Sequence, residues 1–132
     1  MASLESGQNM IFDALYGLEF GEMSPDVVRA TCAVTPKVLQ PFGIVHGGVY
    51  CSIAESITSV GTYLGVKDSG HISMGMSNDM SFLRPITTGT IHAEAKPRHR
   101  GRTTWIWDVE ITNDDGALCA IGRITIAVRP RP

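Results

Sequence analysis

Residues 49–65 read VYCSIAESITSVGTYLG, and Tyr50, Ile53, Ala54, Ile57, Val60 and Leu64 recur along them at the helical period. The stretch predicts one long apolar helix ending near Gly65. The remainder to its C-terminal side reads as strands, at 72–83, 89–99, 102–113 and 117–128. Asp114-Asp115-Gly116 between the last two marks a hairpin, and Pro97 inside the second marks a bulge or an edge position. To the N-terminal side, residues 27–35 alternate, with Val28, Ala30, Cys32 and Val34 on one face of a strand. Residues 9–18 predict a short helix, with Asn9 as its cap, Met10, Ile11, Ala14, Leu15 and Leu18 at helical spacing, and Gly17 as its stop. A helix, a strand or two, one long helix and then consecutive strands make an α+β chain with an antiparallel sheet. One helix cannot cover both faces and edges of such a sheet, so a partner chain, and hence a homo-oligomer, is expected.

The whole chain of 132 residues fits a single domain, residues 1–132. At 43% hydrophobic and 18% charged residues it has the composition of a folded chain. The net charge of −2 conceals an asymmetry: residues 1–83 carry −5 and residues 84–132 carry +3. Either the charges are scattered over a solvated surface, or the second half receives an anionic ligand. Cys32, Cys51 and Cys119 are odd in number and lack metal-ligand spacing, which predicts reduced thiols in a cytoplasmic protein. The first ten residues do not read as a signal peptide, and no apolar run reaches membrane-spanning length. His46, His71, His92 and His99 have no metal-ligand spacing, so no metal is expected; nor is nucleic-acid binding.

The residues that point to chemistry stand where loop 36–48, PKVLQPFGIVHGG, enters the long helix. Glycines cost stability in a helix interior, so Gly47 and Gly48 at its first turn suggest a close backbone approach. Free N–H groups at a helix N-terminus stabilise a negative oxygen, such as a thioester or ester carbonyl becoming an oxyanion. A tight turn where helix meets sheet accounts for the same glycines. Further along, Glu55 shares the polar face with Ser52, Ser56 and Ser59, and the helix holds no Lys or Arg. A lone solvated glutamate is one reading; a carboxylate facing a cavity or a second chain, as base or nucleophile, is the other.

At this junction the sequence resembles the hotdog-fold acyl-CoA thioesterases, whose signature is HGG at the start of the central helix with an acid downstream. It is most similar to the 4-hydroxybenzoyl-CoA thioesterase branch and the phenylacetic-acid-pathway thioesterases. The likeness runs over about residues 27–131 and includes VHGGVYCSIAE, SNDMSFLRPI, TTWIWDVEI, DDGALCA and IAVRPR. It implies a hotdog fold, with one central helix wrapped by five to six antiparallel strands, and hydrolysis of an acyl- or aroyl-CoA thioester. Glu55 would be the catalytic carboxylate and the Gly47 N–H would polarise the carbonyl. His46 would order the loop, Gln40 would touch the thioester or the water, and Ser59 would stand where the family carries a threonine. Arg84, Arg102, Thr103 and Arg131 match or neighbour positions used for the coenzyme A phosphates. The resemblance implies a dimer or tetramer with sites at subunit interfaces and no cofactor, coenzyme A being part of the substrate. Hydration of an enoyl thioester and non-catalytic acyl-CoA binding are the competing expectations. Phe42, Tyr50, Tyr63, Met74, Met76 and Phe82 are candidates for an acyl pocket.

Overall fold

The computed structural model describes residues 11–132. Helix α1 (Ile11–Tyr16) is followed by β1 (Leu18–Met23) and β2 (Val28–Ala33), the long helix α2 (Gly47–Val66), and then β3 (His71–Phe82), β4 (Thr90–Arg100), β5 (Thr104–Thr112) and β6 (Leu118–Pro130). The six strands form one antiparallel sheet in the order β1-β2-β4-β5-β6-β3. The helix packs against the sheet and touches all six strands. This is the one-helix, six-stranded arrangement expected above, and the element bounds agree to within a few residues. Asn9 and Met10, read as the cap and first apolar position of the short helix, lie outside the described residues. Gly17, at φ 85°, ends that helix as its lack of a side chain permits.

Two placements differ from a strand-by-strand reading. β1 forms on a stretch without clean alternation, because Leu18, Glu19 and Phe20 find register partners in Cys32, Thr31 and Ala30 of β2. And β3 does not neighbour β4: it crosses to the far side and pairs with β6, from His71↔Pro130 to Phe82↔Ala120. The second edge of β3 has no strand beside it among the described residues. Pro97 does mark a bulge, the β4–β5 register shifting between Pro97 and His99.

The core sits between α2 and the sheet. Ile53 and Ile57 share one buried cluster with Ile91, Val109, Ile111, Ile124 and Ile126; Val60 is also buried, while Leu64 is half-buried. Trp107 is wholly buried and donates from Nε1 to Thr62 Oγ1 at 2.8 Å. Thr62 and Thr58 in turn donate to the Thr58 and Ala54 carbonyls, so these buried hydroxyls are satisfied. Gly61 is where that indole touches the helix: a β-carbon there would stand 2.4 Å from Trp107 Cη2. The close approach fixes helix and sheet at one distance, and with it everything the helix carries.

Candidate active site

The loop preceding α2 is tied down before the helix begins. Gln40 N–H donates to the Ile44 carbonyl, His46 N–H to the Val38 carbonyl and Val45 N–H to the Ile86 carbonyl, each at 2.8 Å. His46 is the N-cap: its Nδ1 accepts from the Gly48 N–H at 2.8 Å. That bond puts the neutral ring's proton on Nε2. It also explains Gly48, where a β-carbon would meet His46 Nδ1 at 2.9 Å. The first N–H of the helix, on Gly47, has no carbonyl one turn back and no other partner among the described residues. A β-carbon on Gly47 would lie 2.6 Å from Phe82 Cε2, so the bare backbone is needed for the ring to pack there.

Around this free amide is a cleft of about 500 Å³, lined by Gln40, His46, Gly47, Tyr50, Phe82 and Arg84 among others. Gln40 Oε1 accepts from the Phe42 N–H, which orients the side-chain amide and leaves its NH₂ as a donor. The Tyr50 hydroxyl is buried without a partner among the described residues, and burial pushes its pKa up to about 12. Arg84 leaves β3 here, its backbone N–H held by the Cys119 carbonyl at 3.1 Å.

Glu55 opens on a different cleft, of about 560 Å³, with Phe12, Cys51, Ser52, Ser59 and Asn78. It is the one charged residue of α2. Its carboxyl group lies over Gly75 of β3, where a β-carbon would be 2.8 Å from Cδ and from Oε2. Asn78, also on β3, donates from Nδ2 to the Cys51 carbonyl at 2.8 Å and reaches Glu55 Oε1 at 3.5 Å. A carbonyl can only accept, so the bond to Cys51 defines which end of the Asn78 amide is nitrogen. Its Oδ1 is then buried without a partner among the described residues. Ser59, one turn beyond Glu55, has its hydroxyl 3.3 Å from that of Ser73, which donates to the Ser59 carbonyl at 2.8 Å. Burial, with the Glu55 charge second, raises the Cys51 thiol pKa, so the sulfur in this cleft stays protonated at neutral pH.

The two clefts are separate in one chain. Gly47 and Glu55 are eight residues apart, which is about 12 Å along a helix axis. Nor do the four phosphate-binding candidates gather. Arg84 is at the N-terminal end of α2, whereas Arg131 donates to the Tyr63 hydroxyl at 3.0 Å and to the Gly70 carbonyl through its backbone N–H, at the C-terminal end. Thr103 is at that same end, its carbonyl accepting from Val128 N–H and Arg129 Nη1 at 2.9 and 2.8 Å, and exposed Arg102 precedes it in the β4–β5 turn. A helix of 20 residues separates these ends by about 30 Å. Of the second-half arginines, Arg100 pairs with Asp26 at 2.5 Å and Arg123 with Asp108 at 3.3 Å, so those two serve surface ion pairs.

Among the pocket candidates, Tyr50 and Phe82 line the Gly47 cleft; Tyr63 is buried beside Arg131, and Met74 and Met76 are exposed on β3. Phe42 is 89% exposed and lines neither. Phe12, Gly75 and Asn78 were not picked out in the sequence. Asn78 lay inside a quoted strand, and only its position opposite Glu55 distinguishes it. Among the described residues no group of three His, Cys, Asp or Glu is arranged to hold a metal ion, and no helix is long and apolar enough to cross a membrane.

Residues 42–120 match the family model described as the thioesterase superfamily. The chain is similar to a thioesterase of Pseudomonas aeruginosa whose crystal structure superposes with a TM-score of 0.90 at 33% identity, over 98% of this chain and 93% of that one. It is 32% identical over 111 residues to the 1,4-dihydroxy-2-naphthoyl-CoA hydrolase of Escherichia coli, covering 84% of this chain and 81% of the relative. Two structures of a Staphylococcus aureus thioesterase give a TM-score of 0.86 at 28% identity, over 90% of this chain and 98% of that one. In one a glutamate, and in the other a glutamine, is replaced by alanine, and the replaced positions are fifteen residues apart.

Proposed function

The chain belongs to the thioesterase superfamily and is a thioester hydrolase of hotdog fold, and we propose that it cleaves an acyl- or aroyl-coenzyme A thioester using Glu55 and the Gly47 amide. The observation that carries this is the pairing of one unbonded N–H at a helix N-terminus with the single carboxylate of that helix, held by Gly75 and Asn78. The N–H, at the positive end of the helix dipole, stabilises the carbonyl oxygen as it becomes an oxyanion. Glu55 either attacks the carbonyl carbon, giving a mixed anhydride and releasing the thiolate, or removes a proton from an attacking water. Gln40 supplies an NH₂ donor beside the amide, and Ser59 a hydroxyl beside the carboxylate. Gln40 and Glu55 are also fifteen residues apart, the separation of the two replaced residues in the Staphylococcus aureus relative. His46 commits its Nδ1 to the cap, which favours loop ordering over a hydratase-type proton transfer. The E. coli relative's name supports coenzyme A as carrier.

A single carbonyl cannot touch Gly47 and Glu55 of one chain, so we place the reaction between two copies. The unpaired edge of β3 offers the joint. Gly75 touches Glu55 and Phe82 touches Gly47. Two β3 edges paired antiparallel about a point between Asn78 and Asp79 set Gly75 opposite the partner's Phe82, and so Glu55 near the partner's Gly47. The same twofold brings Arg84 toward the partner's Arg102, Thr103 and Arg131, where the phosphates would bind. Dimers of this kind can pair again into a tetramer. Three free cysteines, two of them buried, suit the reducing cytoplasm.

Thiol release across a panel of acyl- and aroyl-CoA thioesters tests the activity and identifies the acyl group. Glu55→Ala lowers the rate by about 10²–10⁴ if it is the base; retention of most activity sinks the assignment. Single turnover in ¹⁸O water separates the two mechanisms: label appearing in Glu55 supports the anhydride, and label in product alone supports general-base attack.

A further inference from the structure

We infer that Phe12 is a specificity residue of this enzyme, gripping the acyl group beside the scissile carbonyl and favouring a flat aromatic one; the inference rests on the Glu55 cleft being the reaction site. Within that cleft Cys51, Ser52, Ser56, Ser59 and Asn78 are small or polar, and Phe12 is the one large apolar side chain among the described residues that line it. The ring is 60% exposed, yet it is not loose. It meets Tyr16 edge to face at 5.7 Å, and the next residue, Asp13, is 4% exposed. Asp13 Oδ1 accepts from the Tyr16 hydroxyl at 2.8 Å and from Ser56 Oγ at 2.7 Å. Ser56 directly follows Glu55 on α2.

A six-residue helix does not hold its shape by propensity alone. Here it is fastened to the helix carrying the carboxylate, at the residue adjacent to that carboxylate. Burying a carboxylate for this purpose is costly, and an apolar side chain would glue α1 down with less penalty. What two charge-assisted bonds add is a defined position. Phe12 is thereby set at a fixed distance from Glu55, as an acyl-selecting wall must be. Asp13 and Ser56 are positioning residues in this scheme; Phe12 touches the substrate.

The test uses two coenzyme A thioethers in which a methylene separates sulfur from a ketone, so that neither can be cleaved: the phenacyl and the 2-oxoheptyl derivatives. Their dissociation constants are measured by calorimetry on the intact wild-type enzyme, on Phe12→Ala and on Phe12→Leu, with melting temperatures as a folding control. Loss of one aromatic contact predicts that both variants weaken the phenacyl ligand about tenfold and the alkyl ligand by less than about threefold. Ser56→Ala, which keeps the Phe12 side chain but removes a bond that fastens α1, shifts the ratio in the same direction. A ratio unchanged in both Phe12 variants overturns the inference while leaving the thioesterase site intact. If instead Glu55→Ala keeps full thiol release, the site itself is misplaced and the inference falls with it.

Discussion

The Glu55 carboxyl group lies directly over the α-carbon of Gly75, so close that a β-carbon at that position would be 2.8 Å from both Cδ and Oε2. The contact joins the middle of α2 to the middle of β3. A methyl group there displaces the end of a flexible side chain, not the backbone. Gly75→Ala is therefore expected to keep its melting temperature, since alanine is no worse than glycine in a strand. Turnover should fall by about 10²-fold, the effect of misplacing a reacting group by about an ångström. A variant with unchanged kcat would show that the carboxylate is not held by this contact.

Placing Glu55 and Gly47 on two different copies makes activity depend on assembly. Met76 is exposed on the unpaired edge of β3, and a lysine there opposes edge-to-edge pairing. Met76→Lys should run at the mass of a single chain in light scattering and lose thiol release together. A monomer with wild-type turnover would contradict a shared site.

Arg84 borders the cleft of the free Gly47 amide, at the opposite end of α2 from Arg131. If both ends meet across the twofold to hold phosphates, Arg84→Ala and Arg102→Ala each raise KM, by about tenfold for a lost charged hydrogen bond, and lower kcat less. Steady-state kinetics on one acyl-CoA, repeated on the same acyl group carried by N-acetylcysteamine, reads this out. The short carrier has no phosphates, so its KM should not move; equal effects on the two substrates would remove the phosphate role.

Gly61 faces the wholly buried Trp107, and a β-carbon there would also be 2.9 Å from Val28 Cγ2. Neither neighbour has room to retreat. Despite the better helix propensity of alanine, Gly61→Ala should destabilise the fold by about 1–3 kcal/mol, the usual cost of overpacking. Thermal or urea unfolding measures it. An increase in stability would mean that the helix can lift from the sheet, and that the site's geometry is less firmly set than the packing implies.

The long helix, five of the six strands, the Pro97 bulge and the hairpin at Asp114-Asp115-Gly116 were legible in the sequence, because each depends on residues a few positions apart. Periodicity of 3.6 or 2 shows which face is apolar, and Gly116 takes the positive φ of 80° that the turn demands. The His46-Gly47-Gly48 junction was legible for a similar reason: a cap, a free amide and two missing side chains are local features. β1 was not separable from its surroundings, since its stretch becomes a strand only by pairing with β2.

What the sequence determined alone, then, is the set of parts: an apolar helix with one carboxylate, a glycine amide at its start, strands to pack it, and a basic second half. Tertiary structure alone decided their neighbours. It sent β3 past β5 and β6 to an open edge, set Gly75 and Asn78 against Glu55, brought Phe12 over the same cleft, and put Arg84 and Arg131 a helix length apart. The reason is physical. Backbone preference and amphipathic period act within a turn or a pleat, whereas adjacency between residues far apart in the chain is selected by the packing of the whole core, such as Trp107 against Gly61, and has no local signature.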